Sequence, residues 1–387
     1  MSNNPQPDWD PRSPAVLDDQ IAAYDRMRGR CPVAHSDYLH WSVFRHADVL
    51  RVLEDHDTFS NVVSLHPSVP NGMDPPEHTA YRALIEPYFA PERVRAFDPA
   101  CRGIAADLVR QLPAGGEVEL MGGFAGDFAL RIQCAFMGWP AELHEPLRQW
   151  TRRNHEATLS GDRGATGAVA LEFDGFVGDL LDARRKAGDA APDDVTTRLL
   201  RERIGDRPLT DGEIVSIVRN WTVGELGTIA ASVGILAHYL AARQDLQRHL
   251  RKDPSRLPAA IDEILRIHAP LIANRRVATR AVEIGGRRLE AGARLSLIWA
   301  SANRDEAVFG NPDELRLDRD PAHNLLYGAG IHVCPGAELA RLELRVVMEE
   351  LLARTRAFAL VPDKPPVRAT YPAGGFTSLA LWVERCS

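Results

Sequence analysis

The sequence has little cysteine: five residues in 387 (Cys31, Cys101, Cys134, Cys334 and Cys386), odd in number and widely spaced. That excludes a disulfide scaffold, and no pair has the Cys-x-x-Cys spacing of a metal knuckle. An excess of one charge is also lacking, since 46 Lys+Arg against 53 Asp+Glu leave a net −7 without long single-sign runs. This excludes a duplex-binding surface or polybasic patch, so neither a nucleic-acid nor a membrane partner is expected. Residues 1–10 show no basic stretch leading into an apolar one, and a cytoplasmic location is the expectation. Only residues 221–241 approach membrane length, and Glu225, His238 and three glycines within them point to a buried core helix. No Gly-rich dinucleotide fingerprint follows a strand, and no cysteine cluster suits an iron–sulfur centre.

What is present is ordinary globular material, 45% apolar and 26% charged. Residues 1–15 hold four prolines and no periodicity, which suggests a flexible arm ahead of a single domain over 16–387. Helical spacing of apolar residues runs through 142–158, 168–186 and 243–250. Thr210-Asp-Gly-Glu213 is a capping box, and no proline follows before Pro254. A helix from there to Arg243 would have roughly 33 residues and be about 50 Å long. Strand alternation appears at 40–44, at 282–284 and 287–289 across Gly285-Gly286, and in apolar runs at 294–299 and 379–383. The expected class is mainly α, an α+β arrangement with a long central helix and small sheets.

The most informative stretch is Leu326-Tyr-Gly-Ala-Gly-Ile-His-Val-Cys-Pro-Gly336, followed by an amphipathic helix carrying Leu339, Leu342 and Val346 on one stripe. Gly328, Gly330 and Gly336 flank Cys334 and let the backbone approach a bulky partner without a Cβ clash. The helix N-terminus beside the sulfur is expected to lower its pKa and hold it as thiolate. An isolated intracellular cysteine is most often a buried free thiol. The surrounding glycines and His332 favour an axial iron ligand instead.

Tyr327-Gly-x-Gly-x-His-x-Cys-x-Gly336 resembles the haem-binding loop of the cytochrome P-450 superfamily, with Tyr327 where Phe is usual. Three further stretches resemble that family in the same order: Asp74-Pro-Pro-Glu-His78 running on to Arg82, Glu263-Ile-Leu-Arg266, and Pro312 through Arg319, with Leu315 at a usually aromatic position. The resemblance spans roughly residues 12–382 and is similar to the haem domains of self-sufficient bacterial members, without their reductase. It implies haem b (iron protoporphyrin IX) bound through Cys334 and the loop residues Tyr327, Gly328 and Gly336. His78, Arg82, Arg276 and His332 would pair with the haem propionates. Glu263, Arg266 and Arg319 would form a structural carboxylate–guanidinium network.

The family's acid–alcohol pair in the central helix is less well matched. Against Val223-Gly-Glu-Leu-Gly-Thr228 the acid position falls on Leu226 and the alcohol position on Gly227, so Glu225 and Thr228, three apart, are expected to take over proton delivery. Thr228 bonded simply to a carbonyl one turn back is the competing arrangement. Carried over from the family, the substrate pocket would be lined by Val62, Val63, Leu65, Val69, Val223, Gly227, Leu271, Ile272 and Phe376, mostly apolar. The implied function is a haem-thiolate monooxygenase using O2 to hydroxylate or oxidatively O-dealkylate a hydrophobic or aromatic small molecule. A separate ferredoxin and its NAD(P)H-dependent reductase would supply electrons. The displaced pair leaves open a peroxygenase or oxidative coupling enzyme, and, outside catalysis, a haem-based sensor or binder.

Overall fold

The capping box forms as its residues require. Thr210 Oγ1 accepts from the Glu213 N–H at 3.3 Å, and the Glu213 carboxylate accepts from the Thr210 N–H at 2.7 Å. Arg207 braces the same carboxylate at 2.6 and 2.8 Å. From this start a helix runs unbroken over Asp211–Ala241, 31 residues and about 47 Å. In the computed structural model, which describes residues 6–64 and 67–386, this is the central element.

The helices that position the site are α1 (Gln20–Arg30), α2 (His46–Glu54), α3 (Glu77–Ile85), α4 (Pro91–Gln111), α5 (Gly126–Met137), α6 (His144–Ser160), α7 (Arg163–Ala187), α8 (Asp211–Ala241), α9 (Leu257–His268) and α10 (Ala337–Arg354). α8 packs against α5, α7, α9 and α10, while α10 lies along α4. Phe128, Ile132, Val218, Leu236, Val347 and Leu351, at most 1% exposed, form the centre of the main core. α8 is long and apolar enough to cross a membrane by composition, but 61% of that stretch is buried within the protein.

A five-stranded sheet has the order β1–β2–β6–β5–β3, from β1 (Val33–Ser36), β2 (His40–Val43), β3 (Phe59–Ser60), β5 (Ala273–Ala278) and β6 (Arg294–Ile298). β2 and β6 run parallel and the other neighbours antiparallel. A second sheet joins β7 (Thr355–Leu360), β8 (Ala380–Arg385) and β4 (Gly115–Glu119) in the order β7–β8–β4. The expected hairpin pairs Val282–Ile284 with Arg287–Leu289, and both turn glycines have positive φ (54° and 74°), as such a turn demands. The mainly helical class with small sheets is as expected. The N-terminal arm differs from expectation in its described part. Asp8 bonds to His35 through backbone and carboxylate (2.8 and 2.7 Å), and the Trp9 ring meets Phe44 edge-on at 5.4 Å.

Glu263 and Arg266 on α9 meet Arg319 in the loop ahead of the cysteine segment. Arg266 reaches both Glu263 oxygens at 2.7 and 2.9 Å, Arg319 reaches one at 2.7 Å, and both guanidinium groups lie over the Phe309 ring. Arg266 also donates to the carbonyls of Asn303 and Pro312 at 2.6 and 2.8 Å. Burial pushes the Glu263 carboxyl up, but hydrogen bonds and charge from the two arginines outweigh it and hold it below its ordinary value. The pair thus stabilises the fold above the unfolded glutamate pKa, and that contribution is lost as pH falls through the lower, folded value. Glu263→Ala strands two guanidinium groups, one of them 1% exposed, and is expected to cost about 3–5 kcal/mol in urea unfolding. The wild-type advantage over Glu263→Ala should shrink in acid.

Candidate functional site

The cysteine segment is held from three sides. The Cys334 N–H donates to the Tyr327 carbonyl at 2.9 Å, closing the loop, and the Arg341 guanidinium caps the Tyr327 ring at 4.6 Å. Gly330 has φ +67°, and a Cβ there would lie 2.3 Å from the Leu53 carbonyl oxygen, so the loop rests directly on the backbone of α2. Cys334 is a free cysteine with accessible surface, although protein surrounds it on most sides. Burial is the largest influence on the thiol and raises its pKa, while the Gly336 N–H at the start of α10 lowers it. The helix end alone does not produce a thiolate, contrary to the expectation from sequence. A metal cation at the sulfur would deprotonate it outright.

Beside the loop lies a group of two histidines and two arginines, of which Arg82 alone has a carboxylate partner among the described residues. The His78 and His332 rings are 4.1 Å apart, and the Nε2 of each is buried without a partner. Burial, then His78, Arg276 and Arg82, lower the His332 pKa to about 3. Arg276 points inward from β5 at 3% exposure, and its one hydrogen bond is to the neighbouring Arg275 carbonyl at 2.7 Å. Burial lowers its pKa to about 10, against a small upward pull from Asp74. Arg82 on α3 reaches the Val333 carbonyl at 2.7 Å and Glu86 at 2.9 Å. The four residues expected to bind propionates are thus gathered next to Cys334. Orphaned histidine nitrogens and a buried guanidinium without a carboxylate suit a ligand that brings two carboxylates of its own.

α8 presents its own open stripe. Val223 is 46% exposed although it belongs to the interior helix, and a Cβ built on Gly224 or Gly227 meets nothing within 4 Å. The expected relay pair divides: Thr228 Oγ1 donates to the Gly224 carbonyl at 2.5 Å, the competing arrangement, while Glu225 turns toward Glu343 on α10. Among the described residues no bond joins Glu225 to Thr228. The charge of Glu225 nevertheless reaches the Cys334 sulfur.

The expected pocket residues split in the same way. Val62 and Leu271 are exposed and Val63 half-buried. Val69 is 2% exposed in the main core, its N–H donating to Ser216 and its carbonyl accepting from Asn220, so it forms no pocket wall. Ile272 is also core, and it borders a cavity of about 280 Å³ together with His238, His268 and Phe376. Phe376 packs on the His238 ring at 4.5 Å. That cavity includes neither Cys334 nor the glycine stripe. Leu65 lies outside the described residues. Glu343 was missed, although its place nine residues after Cys334 on an apolar helix face was visible in the sequence.

The family model described as Cytochrome P450 matches residues 169–371. Cytochrome P450 130 of Mycobacterium tuberculosis is 30% identical over 369 residues, covering 88% of this chain and 89% of that protein. Mycinamicin IV hydroxylase/epoxidase of Micromonospora griseorubida is 31% identical over 339 residues, 84% of each chain. The crystal structure of cytochrome P450 CYP109Q5 from Chondromyces apiculatus superposes with a TM-score of 0.87 at 27% identity, covering 97% of this chain and 98% of that one.

The cation cluster yields a prediction that separates ligand binding from folding. Arg276→Leu removes a buried charge that lacks a carboxylate partner, so urea stability of the apoprotein should hold or rise. Affinity for added hemin should fall about tenfold or more, the worth of one charge-assisted hydrogen bond, in a Soret titration.

Proposed function

The chain belongs to the cytochrome P450 superfamily, and from that premise we propose that it inserts one atom of O2 into a mainly apolar small molecule, by hydroxylation or oxidative O-dealkylation. It is a cytochrome P450 monooxygenase and its cofactor is haem b. The observation that carries the finer reading is the open apolar stripe of Val223, Gly224 and Gly227, on the helix whose Glu225 acts on the Cys334 sulfur. A relative named for hydroxylation and epoxidation supports oxygen insertion.

Bound haem, ligated by Cys334, supplies O2 activation, which thiolate donation favours. The protein's contribution is orientation and protons. His78, Arg82, Arg276 and His332 would fix the carboxylate edge of the macrocycle. Gly336 turns its N–H toward the sulfur and tempers its basicity. Thr228 donates its hydroxyl proton to Gly224, which leaves the oxygen lone pairs free to accept a hydrogen bond and position a proton donor. In the proposed relay Glu225 supplies the acidic group and Thr228 the hydroxyl. Val62, Val63, Val223, Gly227, Leu271 and Phe376 are the proposed apolar lining. A cytoplasmic ferredoxin and its NAD(P)H-dependent reductase are the proposed electron source.

One observation favours a second reading. Glu225 faces Glu343 and not Thr228, which suits a peroxide-dependent peroxygenase or coupling enzyme needing no relay from O2. Product and hydrogen peroxide, measured per NAD(P)H consumed, separate the two. Thr228→Ala and Glu225→Gln should each lower the product fraction several-fold. Unchanged coupling in both, with efficient turnover on added peroxide, selects the second reading. Cys334→Ser should abolish the red-shifted carbonyl band of the reduced haem protein.

A further inference from the structure

Glu225 and Glu343 meet at the crossing of α8 and α10 with no compensating cation. Glu343 is 0% exposed, and as a carboxylate neither of its oxygens finds a donor; the same holds for Glu225 Oε1. Two ionised carboxylates have no proton to offer each other. Once one is protonated, the two side chains are placed to hydrogen bond directly. The other titratable groups around them are Cys101 on α4 and Cys334 and Tyr327 in the cysteine loop, all of which feel one or both carboxyls. None is a cation, and among the described residues no arginine, lysine or histidine acts on either glutamate. A doubly ionised pair at this depth would be very costly, as would two unsatisfied acceptors.

We propose that Glu225 and Glu343 form a dyad holding a shared proton between α8 and α10 at neutral pH, a buried proton store beside the cysteine loop. The proton moves between a carboxyl oxygen of one residue and that of the other, with the dyad carrying a charge of −1. Its loss to solvent leaves −2 and breaks the bond between the helices. Glu225 directly follows Gly224, whose carbonyl holds the Thr228 hydroxyl, so the store adjoins that middle stretch of α8. The proposal concerns proton binding and stands whichever oxidant the enzyme uses.

Burial raises the pKa of both carboxyls, that of Glu225 to about 7 and that of Glu343 well above its ordinary value. Each therefore binds its proton more tightly folded than unfolded. The resulting stability is complete below the unfolded glutamate value and is lost as pH rises through the folded values. Near neutral pH, unfolding should release at least one extra proton, so the unfolding equilibrium constant rises about tenfold per pH unit from this source.

The test uses the holoprotein in two measurements. Infrared difference spectroscopy at neutral pH should show a protonated-carboxyl stretch that shifts in D2O and changes frequency in both Glu225→Gln and Glu343→Gln, as the hydrogen bond to the partner carboxylate is replaced. Urea unfolding from pH 5.5 to 8.5 should show the wild type losing stability with pH more steeply than Glu343→Gln, by one proton per unfolding event. A variant that does not fold leaves the wild-type spectrum decisive. Absence of the protonated-carboxyl band in the wild type, or equal pH slopes in wild type and variant, overturns the proposal.

Discussion

Charge left uncompensated in a low-dielectric interior is the constraint around which this molecule is organised. Beside the cysteine loop Arg276 has no carboxylate partner among the described residues, the His78 and His332 Nε2 atoms are unpartnered, and a thiol is raised by burial. In the proposed binding mode haem would bring a metal cation for the sulfur and two carboxylates for the guanidinium and imidazole groups. Binding and charge compensation are then one event, and the site is complementary to its cofactor before the cofactor arrives.

The rest of the fold keeps these groups from relaxing toward each other. Arg276 is held in β5 opposite Leu295 of β6 and is 3% exposed. Glu263 bridges Arg266 and Arg319, whose other N–H groups go to backbone carbonyls, and the three pin the segment that leads into the cysteine loop. That network is hydrogen-bonded throughout, while the cluster at the cysteine loop keeps unpartnered polar atoms among the described residues. That contrast separates a structural ion network from a binding site built from the same residue types.

Much of this was readable in the sequence. The capping box and the run free of proline set the start and length of α8, and the Gly-Gly pair set the hairpin, because each is governed by local backbone chemistry. The cysteine loop and the cation set were found because their spacing matches a known pattern. The losses occurred where tertiary contacts decide. Glu225 and Thr228 are three apart, which places them on neighbouring parts of the helix but not toward the same partner. Contact with α10 took one, and the backbone took the other. Val69 looks like pocket lining by composition, yet it packs as core, since apolar walls and apolar cores use the same residues. Glu343 was overlooked because a lone glutamate on an amphipathic helix ordinarily faces solvent.

The absence of a side chain at Gly330 has a mechanical consequence. With the loop backbone seated on the Leu53 carbonyl, no compressible layer separates α2 from the segment bearing the iron ligand. Any side chain at this position would push the loop off the helix, so the missing Cβ sets the distance at which the Cys334 segment sits from α2.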